Sequence, residues 1–143
     1  MKKILILLVC LCLSGCIVRN DDFEKTCTRT LNSDNLIDKT DIHVSYDNED
    51  NINEAIVTKR YEVLGEDLTL LEDIKKSATI LNEKYAFNNN IRITVSIDED
   101  DVWEVKYYLD VPKISDNILE EFSLKKNSIK FFNKMRKENI ECE

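Results

Sequence analysis

Ile91-Arg92-Ile93-Thr94-Val95-Ser96-Ile97-Asp98, then Glu99-Asp100-Asp101, then Val102-Trp103-Glu104-Val105-Lys106-Tyr107-Tyr108-Leu109 are two alternating runs joined by an acidic turn. Every second residue is apolar, the period of a strand with one buried face. Ile91, Ile93, Val95 and Ile97 make one row; Trp103, Val105, Tyr107 and Leu109 make the other. A slip of one residue turns a whole row to water, so the loop must keep both rows on one side. A tight turn centred on Glu99-Asp100 sets Val95 opposite Glu104 and fails that test. A three-residue loop pairs Ile97 with Trp103, Val95 with Val105 and Ile93 with Tyr107, and this register is predicted. The chain therefore builds an antiparallel sheet with one apolar face that other elements must cover.

Upstream, Leu71, Ile74, Ala78, Leu81 and Tyr85 fall at three- and four-residue steps, the stripe of an amphipathic helix. Thr69-Leu70-Leu71-Glu72 has the form of a capping box, with Asp67 as an alternative cap. Asn88-Asn89-Asn90 stops the helix, asparagine tolerating the left-handed conformation. Before Gly65, Ala55, Val57, Tyr61 and Val63 share one parity that Lys59 interrupts, with a bulge expected nearby because Ile56 faces the other way. Ile42, Val44 and Tyr46 form the preceding strand, and Thr26, Thr28 and Thr30 alternate with Cys27, Arg29 and Leu31 in a Thr-rich edge strand. Downstream, Pro112 ends the hairpin. Ser115 or Asp116 caps a short helical stretch with Leu119 and Phe122, broken near Lys125-Lys126-Asn127. A last helix over about 128–138 carries Phe131, Phe132 and Met135, and Asn139-Ile140 suits its C-cap. The expected fold is α+β: about five antiparallel strands in the order β-β-β-α-β-β-α, with two helices packed on one face.

The first sixteen residues read differently. Lys2 and Lys3 precede an apolar run from Ile4 to Leu13, too short to span a bilayer, and small residues then precede a cysteine. Leu13-Ser14-Gly15-Cys16 resembles the lipobox of bacterial lipoproteins at all four positions. That resemblance implies a diacylglyceryl thioether on Cys16 and cleavage between Gly15 and Cys16. The alternatives are an ordinary signal peptide with a chance cysteine, or an uncleaved anchor. The expected organisation is a cleaved signal peptide at 1–15, a lipidated tether at 16–24 and one α+β domain at 25–143. Diacylglycerol supplies the two chains that stable attachment requires.

Removing 15 of 143 residues leaves 128, one domain with room for a core. The lost segment holds two lysines and no acid, so the formal charge goes from −8 to −10. Such a balance argues against nucleic acid as a partner and against the body lying on anionic lipid. Of the five cysteines, Cys10 and Cys12 leave with the signal and Cys16 takes the lipid. Cys27 and Cys142 remain in an oxidising compartment and are expected to form a disulfide, which restricts the unfolded chain by about 4–5 kcal/mol in the chain-entropy model. A redox-active pair would need Cys-x-x-Cys spacing or an activating histidine, and neither is present.

The lipobox, Cys27-Thr28-Arg29-Thr30, the strand pair, the long helix, the hairpin and the closing Asn139-Ile140-Glu141-Cys142 together resemble the small YehR-like lipoproteins. That resemblance implies no activity and carries over no functional residue except Cys16. Catalytic signatures are missing. Gly65 is the one glycine after the leader, which excludes a P-loop, a dinucleotide fingerprint and a nucleophile elbow. His43 is the sole histidine, best read as solvated on its strand, and its solitude excludes multi-histidine metal sites. Asp47-Asn48-Glu49-Asp50-Asn51 starts like a calcium loop, but Ile52 stands where glycine is required and Thr58 where a bidentate acid belongs. The acidic turn Asp98-Glu99-Asp100-Asp101 likewise reads as a soluble hairpin tip. Trp103 and Tyr107 suit a binding platform if exposed, though their parity favours the core. Lys125, Lys126, Lys130, Lys134, Arg136 and Lys137 complement a helix dipole, or contact anionic lipid or wall polymer.

No cofactor, metal site or catalytic residue is expected. The functional expectation is a lipoprotein held on the outer face of the cell membrane through Cys16. It carries a small binding or scaffolding domain whose partner is an envelope protein or wall polymer. An envelope hydrolase and an accessory solute-binding protein are the alternatives.

Overall fold

The computed structural model describes residues 22–65 and 69–143. Gly15, Cys16, Cys10, Cys12 and Asp67 lie outside the described residues. Among the described residues are six strands and three α-helices: β1 (Phe23–Asn32), β2 (Leu36–Tyr46), β3 (Ile52–Val63), α1 (Thr69–Tyr85), β4 (Ile91–Asp98), β5 (Val102–Asp110), α2 (Asp116–Glu121), α3 (Ser128–Lys137) and β6 (Glu141–Cys142). The strands form one sheet in the order β4-β5-β3-β2-β1-β6, with every neighbouring pair antiparallel. The sixth strand is a correction to the expected five. Its two residues are too few to show a period of two. Strand β1 also begins at Phe23, so Phe23 and Glu24 belong to the sheet and not to a tether. Phe23 packs on Tyr46 with ring centroids 5.6 Å apart, which extends the ladder.

The predicted hairpin register holds at Ile93–Tyr107 and Val95–Val105 and then shifts. A bulge at Ser96 sets Ile97 opposite Glu104 and Asp98 opposite Trp103. Ser96 Oγ donates to the Glu104 carboxylate at 2.7 Å, a local bond that favours the extra residue. On β3 the register runs unbroken from Glu54 to Val63, so Ile56 itself sits in a regular ladder; the irregularity of this strand lies three residues earlier, at Asn53, beside the turn. The asparagines after α1 work without left-handed backbone, since the positive-φ residues described are Asp50, Ser123, Asn139 and Gly65. Asn88 Oδ1 instead accepts from Asn90 N–H at 3.0 Å, an Asx turn that leads into β4. The last helix ends as expected: Asn139 has φ 57° and Ile140 N–H donates to the Met135 carbonyl at 2.9 Å. Asn127 caps its start, accepting from Lys130 N–H at 3.1 Å.

One apolar cluster joins sheet and helical residues. Val44, Val57, Val105, Tyr107 and Leu109 of the sheet share it with Leu71 and Tyr85 of α1, Leu119 of α2, and Phe131 and Met135 of α3. The opposite face of the sheet is paved with polar cross-strand pairs: Thr28 donates to Asp41 at 2.6 Å, Arg60 pairs with Glu104 at 3.7 Å, and Arg92 lies 4.1 Å from the Tyr108 ring centroid.

Candidate functional site

The inner face of the sheet can be taken row by row from the strand pairings. The lowest full row is Ile91-Leu109-Ala55-Val44-Lys25, and the next is Ile93-Tyr107-Val57-Ile42-Cys27, with Cys142 beyond. Both are apolar but for Lys25, at the margin, which lies 5.7 Å from the Phe132 ring centroid. Then the chemistry changes. The third row is Val95-Val105-Lys59-Thr40-Arg29, and the fourth runs from Trp103 through Tyr61 and Asp38 to Leu31. Arg29, Asp38, Lys59 and Tyr61 thus converge on the side of the sheet that elsewhere faces the core.

Among the described residues Lys59 and Arg29 form no ion pair or hydrogen bond, and Asp38 Oδ1 is shielded from solvent with no hydrogen-bond partner. Burial pushes the Lys59 ammonium below its ordinary pKa; the Asp38 carboxylate pulls it back and Arg29 pushes it further down. Tyr61 is raised, first by burial and then by Asp38. Its ring stacks on Trp103 with centroids 6.1 Å apart and planes 21° apart. Tyr107, raised to about 12 by burial, donates its hydroxyl to Asn82 Oδ1 at 3.0 Å.

Two clefts meet at Lys59. One, of about 380 Å³, has Lys59, Tyr61 and Trp103 as its floor and Ile74, Ala78 and Leu81 of α1 as its wall. The other, of about 170 Å³, runs over Arg29, Thr40 and Lys59 to Phe122 and Met135. The arrangement sets two cations, Lys59 and Arg29, among four carboxylates, Asp38, Asp73, Glu121 and Glu138, with a phenol beside a flat aromatic pair. It can hold a polar group and bury an apolar one. Among the described residues, no Ser, Cys or Thr lining either cleft is hydrogen-bonded to a histidine or carboxylate side chain.

The sequence-predicted residues are placed as follows. Cys27 and Cys142 meet across β1 and β6 at disulfide distance, 1.99 Å between sulfurs. Trp103 and Tyr107 are buried in the core cluster, as their parity implied. His43 lies on the polar face, its Nδ1 3.0 Å from the Thr26 hydroxyl. Asp47 Oδ1 accepts from the N–H groups of Glu49 and Asn51 at 2.9 Å, bonds that lower its pKa and shape the turn. Among the described residues no group of three or more His, Cys, Asp or Glu is placed to hold a metal ion. The basic run is partly neutralised: Lys125 and Lys134 pair with Glu120, and Lys126 donates to the Pro112 carbonyl at 3.3 Å. Lys59 is the residue that sequence reasoning missed. Its signal was present as a lysine on an apolar parity, read there as an interruption of the strand.

No protein-family model matches the chain, and no curated protein matches it. Among solved structures, an NMR structure of a protein from Streptococcus pneumoniae TIGR4 is similar, with a TM-score of 0.54 at 11% identity over 87% of each chain. At that identity the likeness shows a shared α+β fold and nothing of function.

Proposed function

We propose that the chain is a lipid-anchored binding domain on the outer face of the cell membrane, and that its binding surface is the polar corner around Lys59. α1 and α3 lie across the apolar rows of one sheet face in this proposal, leaving the corner open between them. The observation that carries it is a half-buried lysine outside any ion pair, on a sheet face whose first two rows are apolar. An unpaired charge facing a core is destabilising, and such groups concentrate where a ligand completes them. The anchor rests on Leu13-Ser14-Gly15-Cys16 and the run before it; among the described residues no helix is long and apolar enough to cross a membrane. The Cys27–Cys142 cross-link suits that oxidising compartment. The domain acts by binding and not by catalysis.

Mass spectrometry of the native protein tests the anchor, with diacylglyceryl expected on Cys16 and no free thiol at Cys27 or Cys142. A product that still begins at Met1, or a bare Cys16, overturns it. Cys16→Ala should move the protein from the detergent phase to the aqueous phase. Binding is tested through Trp103, the chain's one tryptophan: it lines the corner, so saturable changes in its emission report occupancy.

A further inference from the structure

We propose that the open edge of β4 is a docking strip for an extended, basic segment of another polypeptide, which adds to the sheet as a further strand. This surface is separate from the corner at Lys59, which lies two strands in, on β3.

The two edges of the sheet are finished differently. On β1, β6 pairs with Cys27 and Thr28, Thr26 and Glu143 exchange backbone hydrogen bonds at 2.8 and 3.0 Å, and the disulfide ties the two strands together. Among the described residues β4 has β5 as its sole neighbour. Asp110 N–H donates to the Asn90 carbonyl at 3.0 Å, in step with the Ile91–Leu109 register. Backbone groups alternate sides along an antiparallel strand, so those of Arg92 and Thr94 turn to β5 and those of Ile93 and Val95 turn outward. The bulge at Ser96 breaks this order, and the regular open edge therefore runs from Ile91 to Val95. Ile91 N–H is taken by the Asn88 carbonyl at 3.0 Å. The N–H groups of Ile93 and Val95 and the carbonyls of Ile91, Ile93 and Val95 are left to meet an incoming strand. Main-chain hydrogen bonds complete such an edge, which fixes the class of partner as an extended polypeptide.

Side chains add a groove to the strip. Ile91, Ile93 and Val95 point to the inner face, and Val95 is 46% exposed there. A cleft of about 560 Å³ runs beside them, between Ile91 and Ile93 of β4 and Asn82, Glu83 and Ala86 of α1. Alternate side chains of an added strand enter this cleft or cover Val95 as cross-strand neighbours.

Charge selects a basic segment. Asp98, Glu99, Asp100 and Asp101 stand at the far end of the strip, and Glu83 stands along the cleft. The cations beside them are Lys75, which already pairs with Asp98, and Arg92, whose guanidinium lies over the Tyr108 ring on the polar face. Lys76 pairs with Asp73, Lys84 with Glu121 and Lys106 with Glu104, so these charges cancel. Five carboxylates thus oppose two cations along the strip. A second copy carries the same acid excess on its own edge and the same net charge of −8, which opposes self-addition.

The test uses the full chain in detergent and three end-blocked peptides. The first has two lysines followed by five residues alternating valine and threonine. The second replaces both lysines by glutamates, and the third is the first with every second backbone nitrogen of the alternating part methylated. Calorimetry reads affinity, and amide hydrogen exchange followed by NMR reads the site. The lysine peptide should bind saturably and slow exchange at Ile93 and Val95 by about ten-fold or more, the scale of one hydrogen bond formed, while Thr94 stays unchanged. The methylated peptide should bind roughly ten-fold more weakly or worse. The glutamate peptide, or the lysine peptide on Glu83→Lys, should lose roughly five-fold, the scale of surface ion pairs. No slowing at Ile93 and Val95, or equal affinity for the methylated peptide, overturns strand addition. Equal affinity for the glutamate peptide overturns the basic partner. Protection of Ile93 and Val95 that grows with protein concentration and needs no peptide gives the strip to a second copy and overturns the assignment. Lys59→Met should leave peptide binding unchanged; a loss there places the peptide at the corner and overturns it too.

Discussion

The two halves of the inner sheet face differ in what covers them. In the lower rows Val44, Val57, Tyr107 and Leu109 are sealed, and Phe131 and Met135 of α3 belong to the same cluster with no exposure at all. In the upper rows the same strands carry Lys59, Thr40, Arg29 and Asp38, and Val95 of β4 is 46% exposed. One sheet thus carries two kinds of surface on a single face. The lower rows are apolar throughout; in the upper rows Val105 and Trp103 are sealed, and the polar groups gather on the strands β3, β2 and β1. A half-buried charge outside any ion pair costs stability, so the lower half must carry the surplus that lets the upper half keep its polar groups.

Substitutions sharpen this contrast. Phe131→Ala should give the largest loss, about 3–5 kcal/mol in urea unfolding, because it leaves a cavity in the sealed half. Removing the cross-link by the double change Cys27→Ala and Cys142→Ala should cost about 2–5 kcal/mol, measured the same way, with the oxidised wild type as reference. An equal loss from a truncation in the upper rows would break the contrast.

Alkaline titration reaches both halves. Lys59 has a lowered folded pKa, so the unfolded chain binds more protons below 10.5 and stability rises with pH up to that point. Tyr107 has a raised one, so its stabilisation is intact below pH 10 and is lost as pH rises towards 12, roughly 2–3 kcal/mol for two pH units. Tyr61 adds to the fall. Stability should therefore climb and then drop across this range, and phenolate absorbance should show one tyrosine titrating near 12. A monotonic fall from pH 9 would mean that Lys59 is not desolvated. The smallest effect belongs to Lys59→Met, within about 1 kcal/mol of wild type, since the methionine keeps the stem and removes the penalised charge.

The lower half was also the legible half. Ile91–Ile97 and Trp103–Leu109 announce their period because every second side chain is buried, and the stripe from Leu71 to Tyr85 does so for α1. The upper half hides it. Leu36, Asp38 and Thr40 begin β2 on the inner face, yet with polar residues there the strand shows no alternation before Ile42. Lys59 looked like a fault in β3 for the same reason, so the candidate site went unread while each of its residues stood in plain view. The Ser96 bulge escaped because a side-chain hydrogen bond, not a pattern, favours it. The two-residue β6 was too brief to register, although the pairing of its cysteine was foreseen.

The staple has a mechanical side. Any pull through the residues before Phe23 falls on the first end of β1, which would peel from β2 one pair at a time. Peeling halts after Thr26, because Cys27 is tied to Cys142 and the load passes to the far end of the chain. From that residue on, any such load is shared between two parts of the chain 115 residues apart in sequence.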